Sequence, residues 1–176
     1  IGSMRNWGTE IAIGITPLNT KDMELNINAN ITFQRNKLLS LSGMYSGEML
    51  SAPEYKSLSG LDGAGFHGGY NHIVYQMVGQ PLGVFYLPHS TGLESDGNGG
   101  YTYGIADLNG GGVSLEDGED RYVAGQAVPK TILGSNISFR YKRFDLSLQV
   151  NGAFGHKIYN GTSLTYMNMN IFPDYN

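Results

Sequence analysis

The residues with the most chemistry to offer lie between Asp107 and Asp120. Asp107-Leu108-Asn109-Gly110-Gly111-Gly112 is followed by Glu116, Asp117, Glu119 and Asp120. Hard cations take several carboxylate and carbonyl oxygens, so Asp107, Asn109, Asp117 and Asp120 are the ligands that calcium would use here. An EF-hand loop closes on a bidentate Glu, and at that spacing from Asp107 this chain carries Gly118. The segment reads better as an acidic surface loop of Asx turns, in which Asp and Asn side chains bond the backbone just downstream. No cofactor is expected, and calcium is the one candidate weighed.

Other chemistries fail on spacing. Gly63-Ala64-Gly65-Phe66-His67-Gly68 matches the glycine fingerprint of dinucleotide sites. That motif needs a strand before it and a helix after it. The stretch from Gly69 to Tyr75 has no helical periodicity, so the match belongs to a Gly-rich loop. The histidines are His67, His72, His89 and His156, and none forms the i, i+4 pair of a zincin. There is no G-x-S-x-G elbow. Cysteine is absent, which excludes thiolate nucleophiles, disulfides and Cys-type zinc sites. A net charge of −4 leaves no basic footprint for nucleic acid. The chain is not expected to be an enzyme. The better binding candidates are Tyr70, Tyr75, Phe85, Tyr86, Tyr101 and Tyr103, whose broad faces could stack on sugars or meet a covering protein. Their plainer role is to pack a loop or to form an interfacial girdle.

These side chains need strands to hold them. The charged fraction is 15%, with 26 Gly and 12 Tyr, a composition suited to strands and loops and poor for helices. From Glu24 to Phe33 every residue obeys period-2 alternation: Leu25, Ile27, Ala29, Ile31 and Phe33 share one face, Glu24, Asn26, Asn28, Asn30 and Thr32 the other. A helix would scatter these residues around its surface. Phe144, Leu146, Leu148 and Val150 alternate in the same way with Asp145, Ser147, Gln149 and Asn151; Ile137, Phe139 and Tyr141 alternate with Ser138, Arg140 and Lys142; Ile11, Ile13 and Ile15 with Ala12, Gly14 and Thr16.

The reading is an all-β chain. Residues 1-35 form a first hairpin turning at Pro17–Asp22, and residues 134-154 a second turning at Tyr141-Lys142-Arg143. Residues 36-133 form a long loop region with short strands between the hairpins, and residues 155-176 a further loop. No apolar run is long enough for a transmembrane helix. Short turns at one end, long loops at the other and strands of about ten residues fit a transmembrane barrel. The apolar face then meets lipid and the Asn-rich face lines the lumen. A soluble extracellular β-sandwich, such as a glycan-binding or adhesin module, also alternates and is the rival reading, although its strands run to about five or six residues. Four strands close no barrel, since the smallest need about eight. The chain starts at Ile1 without a visible signal peptide and reads as a fragment or processed product.

A series of short motifs adds to the pattern. Trp7-Gly8-Thr9-Glu10-Ile11 is followed by Gly79-Gln80-Pro81-Leu82-Gly83-Val84-Phe85-Tyr86 and by Tyr103-Gly104-Ile105-Ala106-Asp107-Leu108-Asn109-Gly110-Gly111-Gly112. Then come Asp120-Arg121, Gly125-Gln126-Ala127-Val128-Pro129-Lys130, Phe144-Asp145-Leu146-Ser147 and Gly155-His156-Lys157-Ile158-Tyr159-Asn160. In this order they resemble the C-terminal half of the barrel of SusC/RagA-type TonB-dependent transporters, over nearly the whole chain. The family's N-G-D-G loop has Gly111 where it carries Asp, so one carboxylate is missing. The resemblance implies a segment of a large antiparallel transmembrane barrel of about 22 strands with long extracellular loops, its plug carried elsewhere. It also implies an outer-membrane location and import of oligosaccharides or peptides. The implied partners are the rest of the barrel and plug, a SusD-like lipoprotein lid, the TonB complex and outer-membrane lipid.

Overall fold

The computed structural model describes residues 2–58, 72–114, 119–160 and 162–163. Four long strands form one sheet: β1 (Ser3–Asn19), β2 (Met23–Ser40), β11 (Thr131–Tyr141) and β12 (Phe144–Phe154). Between them in the chain come β3 (Gly43–Tyr45), β4 (Glu48–Leu50), β5 (Tyr55–Ser57), β6 (Val74–Met77), β7 (Val84–Pro88), β8 (Ser90–Ser95), β9 (Tyr101–Ile105) and β10 (Arg121–Gln126).

The long sheet has the order β1-β2-β11-β12, antiparallel throughout. Its register turns the local alternation into faces that run across all four strands. Ile15, Ile27, Ile137 and Leu148 stand in one row, and Ile11, Ile31 and Leu133 in another. On the opposite face Gly14, Asn28, Asn136 and Gln149 form a row, beside Ala12, Asn30, Gly134 and Asn151. A slip of one residue in any strand would mix the faces, so the pattern holds the register. This wall has no core of its own: Ile13 is 57% and Leu148 53% exposed, and among the described residues no element packs over them.

The first turn is shorter than the Pro17–Asp22 run predicts. β1 carries on through Pro17 to Asn19, and the register shifts between Ile15 and Leu18. The irregularity absorbs a residue with no N–H to give to the ladder. Thr20 then closes the turn: its backbone N–H donates to the Met23 carbonyl at 2.7 Å, and its hydroxyl accepts from the Met23 N–H at 3.0 Å. The second turn holds Lys142 at φ 55°, a left-handed position open to few side chains. The Lys142 N–H reaches the Asp22 carbonyl at 2.7 Å, tying the two turns together. Beside them the guanidinium of Arg140 pairs with the Glu24 carboxylate.

At the other end β2 runs to Ser40, beyond the alternating stretch that ends at Phe33. Its upper edge is taken over by the loop region instead of β11. Gln34 N donates to Lys130 O at 2.9 Å, Leu38 N to Gln80 O at 2.9 Å, and Gly79 N to Leu38 O at 2.8 Å. The loop region is organised by a smaller sheet of order β10-β7-β6-β5, with β3-β4 and β8-β9 as separate hairpins. The molecule's core lies in this small sheet: Tyr75 and Val84 are fully buried, with Ile73, Phe85 and Leu38 nearly so.

Gly8, in the Trp7–Ile11 motif, has a backbone reason. A Cβ there would sit 2.4 Å from the Phe33 carbonyl oxygen, so β1 and β2 would have to part. Gly8→Ala is expected to destabilise the hairpin by about 1–3 kcal/mol, the usual range for forced overpacking. The check is a lowered thermal midpoint of the intact protein; an unchanged one would show that the strands relax freely.

Candidate functional site

The polar face of the wall carries a shallow trough of about 410 Å³, lined by Asn28, Asn30, Asn136, Gln149 and Asn151. Glycines make room for these carboxamides. A Cβ on Gly14 would come within 2.9 Å of the Asn28 Oδ1, and one on Gly134 within 2.3 Å of the Asn30 Oδ1. The Asn side chains therefore lean across onto neighbouring strands. The lining is uncharged and offers both donors and acceptors. Charge returns at the two ends: Glu24, Arg140 and Asp145 share one row at the turn end, and Glu10 lies opposite Thr32 toward the other.

The predicted aromatic candidates divide into three groups. Tyr70 lies outside the described residues. Tyr75 and Phe85 belong to the core, which corrects their reading as contact residues: Tyr75 is 0% exposed and has no face to offer. It packs against the Tyr55 ring at 6.3 Å and meets Tyr86 edge-on at 5.3 Å. Its hydroxyl accepts from the Arg121 guanidinium at 3.0 Å. Tyr86, half-buried, is a wall of the same cluster. Tyr101 and Tyr103 are different. They sit two apart on β9, opposite Ser95 and Leu93, and are 76% and 72% exposed. With Leu93 they give the β8-β9 hairpin one apolar, aromatic face. The hairpin tip is closed by Asp96, whose Oδ1 accepts from Asn98 N and Gly100 N at 2.8 and 2.9 Å.

The acidic loop is held by its own carboxylates. Asp107 accepts from the backbone N–H of Gly110 at 2.5 Å and of Gly112 at 3.0 Å. Asp120, at φ 39°, accepts from Leu108 N at 2.6 Å and Ser114 N at 2.7 Å. Asn109 accepts from Gly111 N at 2.8 Å. Asp117 lies outside the described residues. Among the described residues no group of three His, Asp or Glu side chains could hold a metal ion.

The backbone N–H groups of Ser114, Leu108 and Asn109 hold the Asp120 carboxyl below its usual 3.8. A depressed carboxyl stabilises the fold above its unfolded value, and that contribution is lost as pH falls through the folded value. The amides of Leu108 and Ser114 are therefore expected to keep their hydrogen-exchange protection from neutral pH down to about 3.8 and to lose it below. Asp120→Ala should remove the protection already at neutral pH, by about tenfold, as charge-assisted bonds are lost. Unchanged exchange in the variant would show that the carboxylate does not hold the loop.

The trough was only half legible in the sequence. Asn26, Asn28 and Asn30 stand out by alternation, and so do Gln149 and Asn151. Nothing in the chain order says that Gly14 and Gly134 lie beside them, because that depends on how β2 pairs with β1 and with β11.

A four-stranded antiparallel wall with one apolar and one uncharged polar face, topped by a loop sheet, defines a segment of a membrane β-barrel wall. Similarity to known proteins agrees. No family model matches the chain. It is 25% identical over 167 residues to the TonB-dependent receptor SusC of Bacteroides thetaiotaomicron, a match covering 90% of this chain and 15% of that protein. It is 28% identical over 176 residues to the TonB-dependent receptor P3 of Formosa agariphila, covering 93% and 16%. The fold matches a chain in the structure of the RagAB peptide transporter with a TM-score of 0.56 at 18% identity, covering 88% of this chain and 15% of that one. The homology is weak and consistent, and the fold is that of a TonB-dependent barrel segment. The chain spans about 15% of the length of the relatives it matches.

Proposed function

We propose that the chain is part of the wall and loop region of a TonB-dependent outer-membrane transporter that imports nutrient oligosaccharides or peptides. Its work in that protein is transport and not catalysis, and it uses no cofactor in this segment. The observation that carries the reading is the sorting of the four-stranded sheet into faces. Ile13 and Leu148 sit on a face that no described element covers, and lipid would cover it. A soluble sandwich would have laid a second sheet on that face.

The free edges of β1 and β12 pair with the remaining strands of the barrel, since an exposed edge is a template for another strand. The Asn-lined face looks into the lumen and toward a plug carried elsewhere. A SusD-like lipoprotein covers the loop end, where Tyr101 and Tyr103 are the contact candidates, and the TonB complex acts through the plug. The names of the relatives support this assignment: two are TonB-dependent receptors and one structure is a peptide transporter.

The test is made on the intact protein in its own cell. Fractionation should find it in the outer membrane, and affinity purification should bring down a surface lipoprotein. Deleting it should abolish growth on one class of oligosaccharide or peptide. Recovery of the intact protein as a soluble monomer would sink the reading.

A further inference from the structure

A second cavity, of about 420 Å³, lies where the wall meets the loop sheet. Its charged lining is Lys130 and Lys157, joined by His156 and Gln126, and no Asp or Glu contributes to it. In a chain with net charge −4 this is a local reversal of sign. Among the described residues neither lysine has a carboxylate partner.

The lysines are held in place by glycines. A Cβ on Gly125 would come within 2.8 Å of the Lys157 side chain, and one on Gly155 within 3.0 Å of the Lys130 Cβ. Each aliphatic stem thus lies flat on a bare stretch of backbone, with its ammonium free to point elsewhere. The backbone fixes both ends: Lys157 N donates to Gln126 O at 2.8 Å, and Lys130 N donates to Phe154 O at 2.9 Å. The His156 Nδ1 is shielded from solvent and has no hydrogen-bond partner.

The position decides which anions can arrive. Lys130 prolongs the β11 ladder, one residue before Thr131, which pairs with Phe33 on the apolar face. Alternation puts Lys130 on the polar face, away from any lipid headgroup. The volume falls in the range of small-ligand pockets, about 300–1,000 Å³. Lysine ammonium groups present several donors and a compact charge, which suits a carboxylate without demanding one fixed approach.

We propose that this cavity is a binding subsite for a carboxylate group on the transported molecule, with Lys130 and Lys157 supplying the charge. The proposal rests on the transporter reading above and deepens it: the cargo is anionic. The carboxylate can come from a uronic acid of a glycan or from the free C-terminus of a peptide.

The experiment uses the detergent-solubilised intact protein and calorimetric titration with three probes: trigalacturonate, trialanine and the neutral maltotriose. At least one carboxylate probe should bind the wild type saturably and weaken with added salt. In a K130M/K157M double variant that binding should fall about tenfold, the loss of two partly exposed ion pairs. K130R/K157R should restore it, and any maltotriose binding should be untouched. The carboxylate probe that responds identifies the source. The inference is overturned if neither carboxylate probe binds, if the double variant binds them as the wild type does, or if maltotriose weakens equally. Equal outer-membrane yield of all variants separates this result from misfolding. An intact protein absent from the outer membrane would instead overturn the transporter reading itself.

Discussion

Ile27→Arg in the intact protein is expected to lower the amount of folded protein in the outer membrane by tenfold or more. Ile27 stands in the row Ile15, Ile27, Ile137 and Leu148, in the middle of the apolar face. A cation on the lipid face of a barrel near the midplane costs about 2–4 kcal/mol. Each 1.4 kcal/mol or so is a factor of ten in an equilibrium. Asn26→Arg is the control. Asn26 lies on the opposite face and its amide donates to the Glu24 carboxylate at 2.8 Å, so a cation there meets an anion. Its yield should stay within about twofold of the wild type, the modest effect of a solvated charge pair. Equal losses from both variants would remove the assignment of faces.

Tyr75→Ala has the next largest expected effect, in a different part of the molecule. Removing a large buried aromatic costs about 3–5 kcal/mol. Tyr75 is fully buried and joins Tyr55, Tyr86 and Arg121 across the small sheet. The small sheet is therefore expected to open while the wall still assembles. Hydrogen exchange should quicken in β5, β6, β7 and β10 and stay slow in β11 and β12. A protease added to intact cells should cut the loop region of the variant and spare the wild type. Loss of the whole barrel would mean that the small sheet is required for assembly; no change at all would mean that Tyr75 is not its keystone.

The wall was legible because period-2 alternation is a property of single strands. Leu25 to Phe33 and Phe144 to Val150 declare their faces without reference to any partner. The upper half of β2 was not legible, since Gln34–Ser40 carry no alternating face and are held by pairing with β1 on one edge and by backbone bonds to Lys130, Gly79 and Gln80 on the other. The aromatic candidates show a second limit. Tyr75 and Tyr103 are the same residue type on short strands, yet one is 0% and the other 72% exposed. What separates them is whether neighbouring strands cover them, and that is decided by pairing across a long stretch of chain. The cationic cavity was hidden for the same reason. Lys130 and Lys157 are far apart in sequence, and only the pairing of β11 with β12 brings Gly155 beside Lys130.

The join between wall and loop sheet has a mechanical consequence. Beyond β11 the edge of β2 is bonded to Lys130 at Gln34 and to Gln80 and Gly79 at Leu38, and between them the Asn36 side chain accepts from Leu82 N at 2.7 Å. Swinging the loop sheet aside would break those bonds together, so it behaves as a mast stepped into the rim and not as a flap. Among the described residues the β8-β9 hairpin makes no backbone hydrogen bond outside itself: its base is closed by Ala106 N donating to His89 O at 2.9 Å, and the His89 ring meets Tyr122 edge-on at 5.1 Å. Among the described residues, motion at this end is therefore left to that arm.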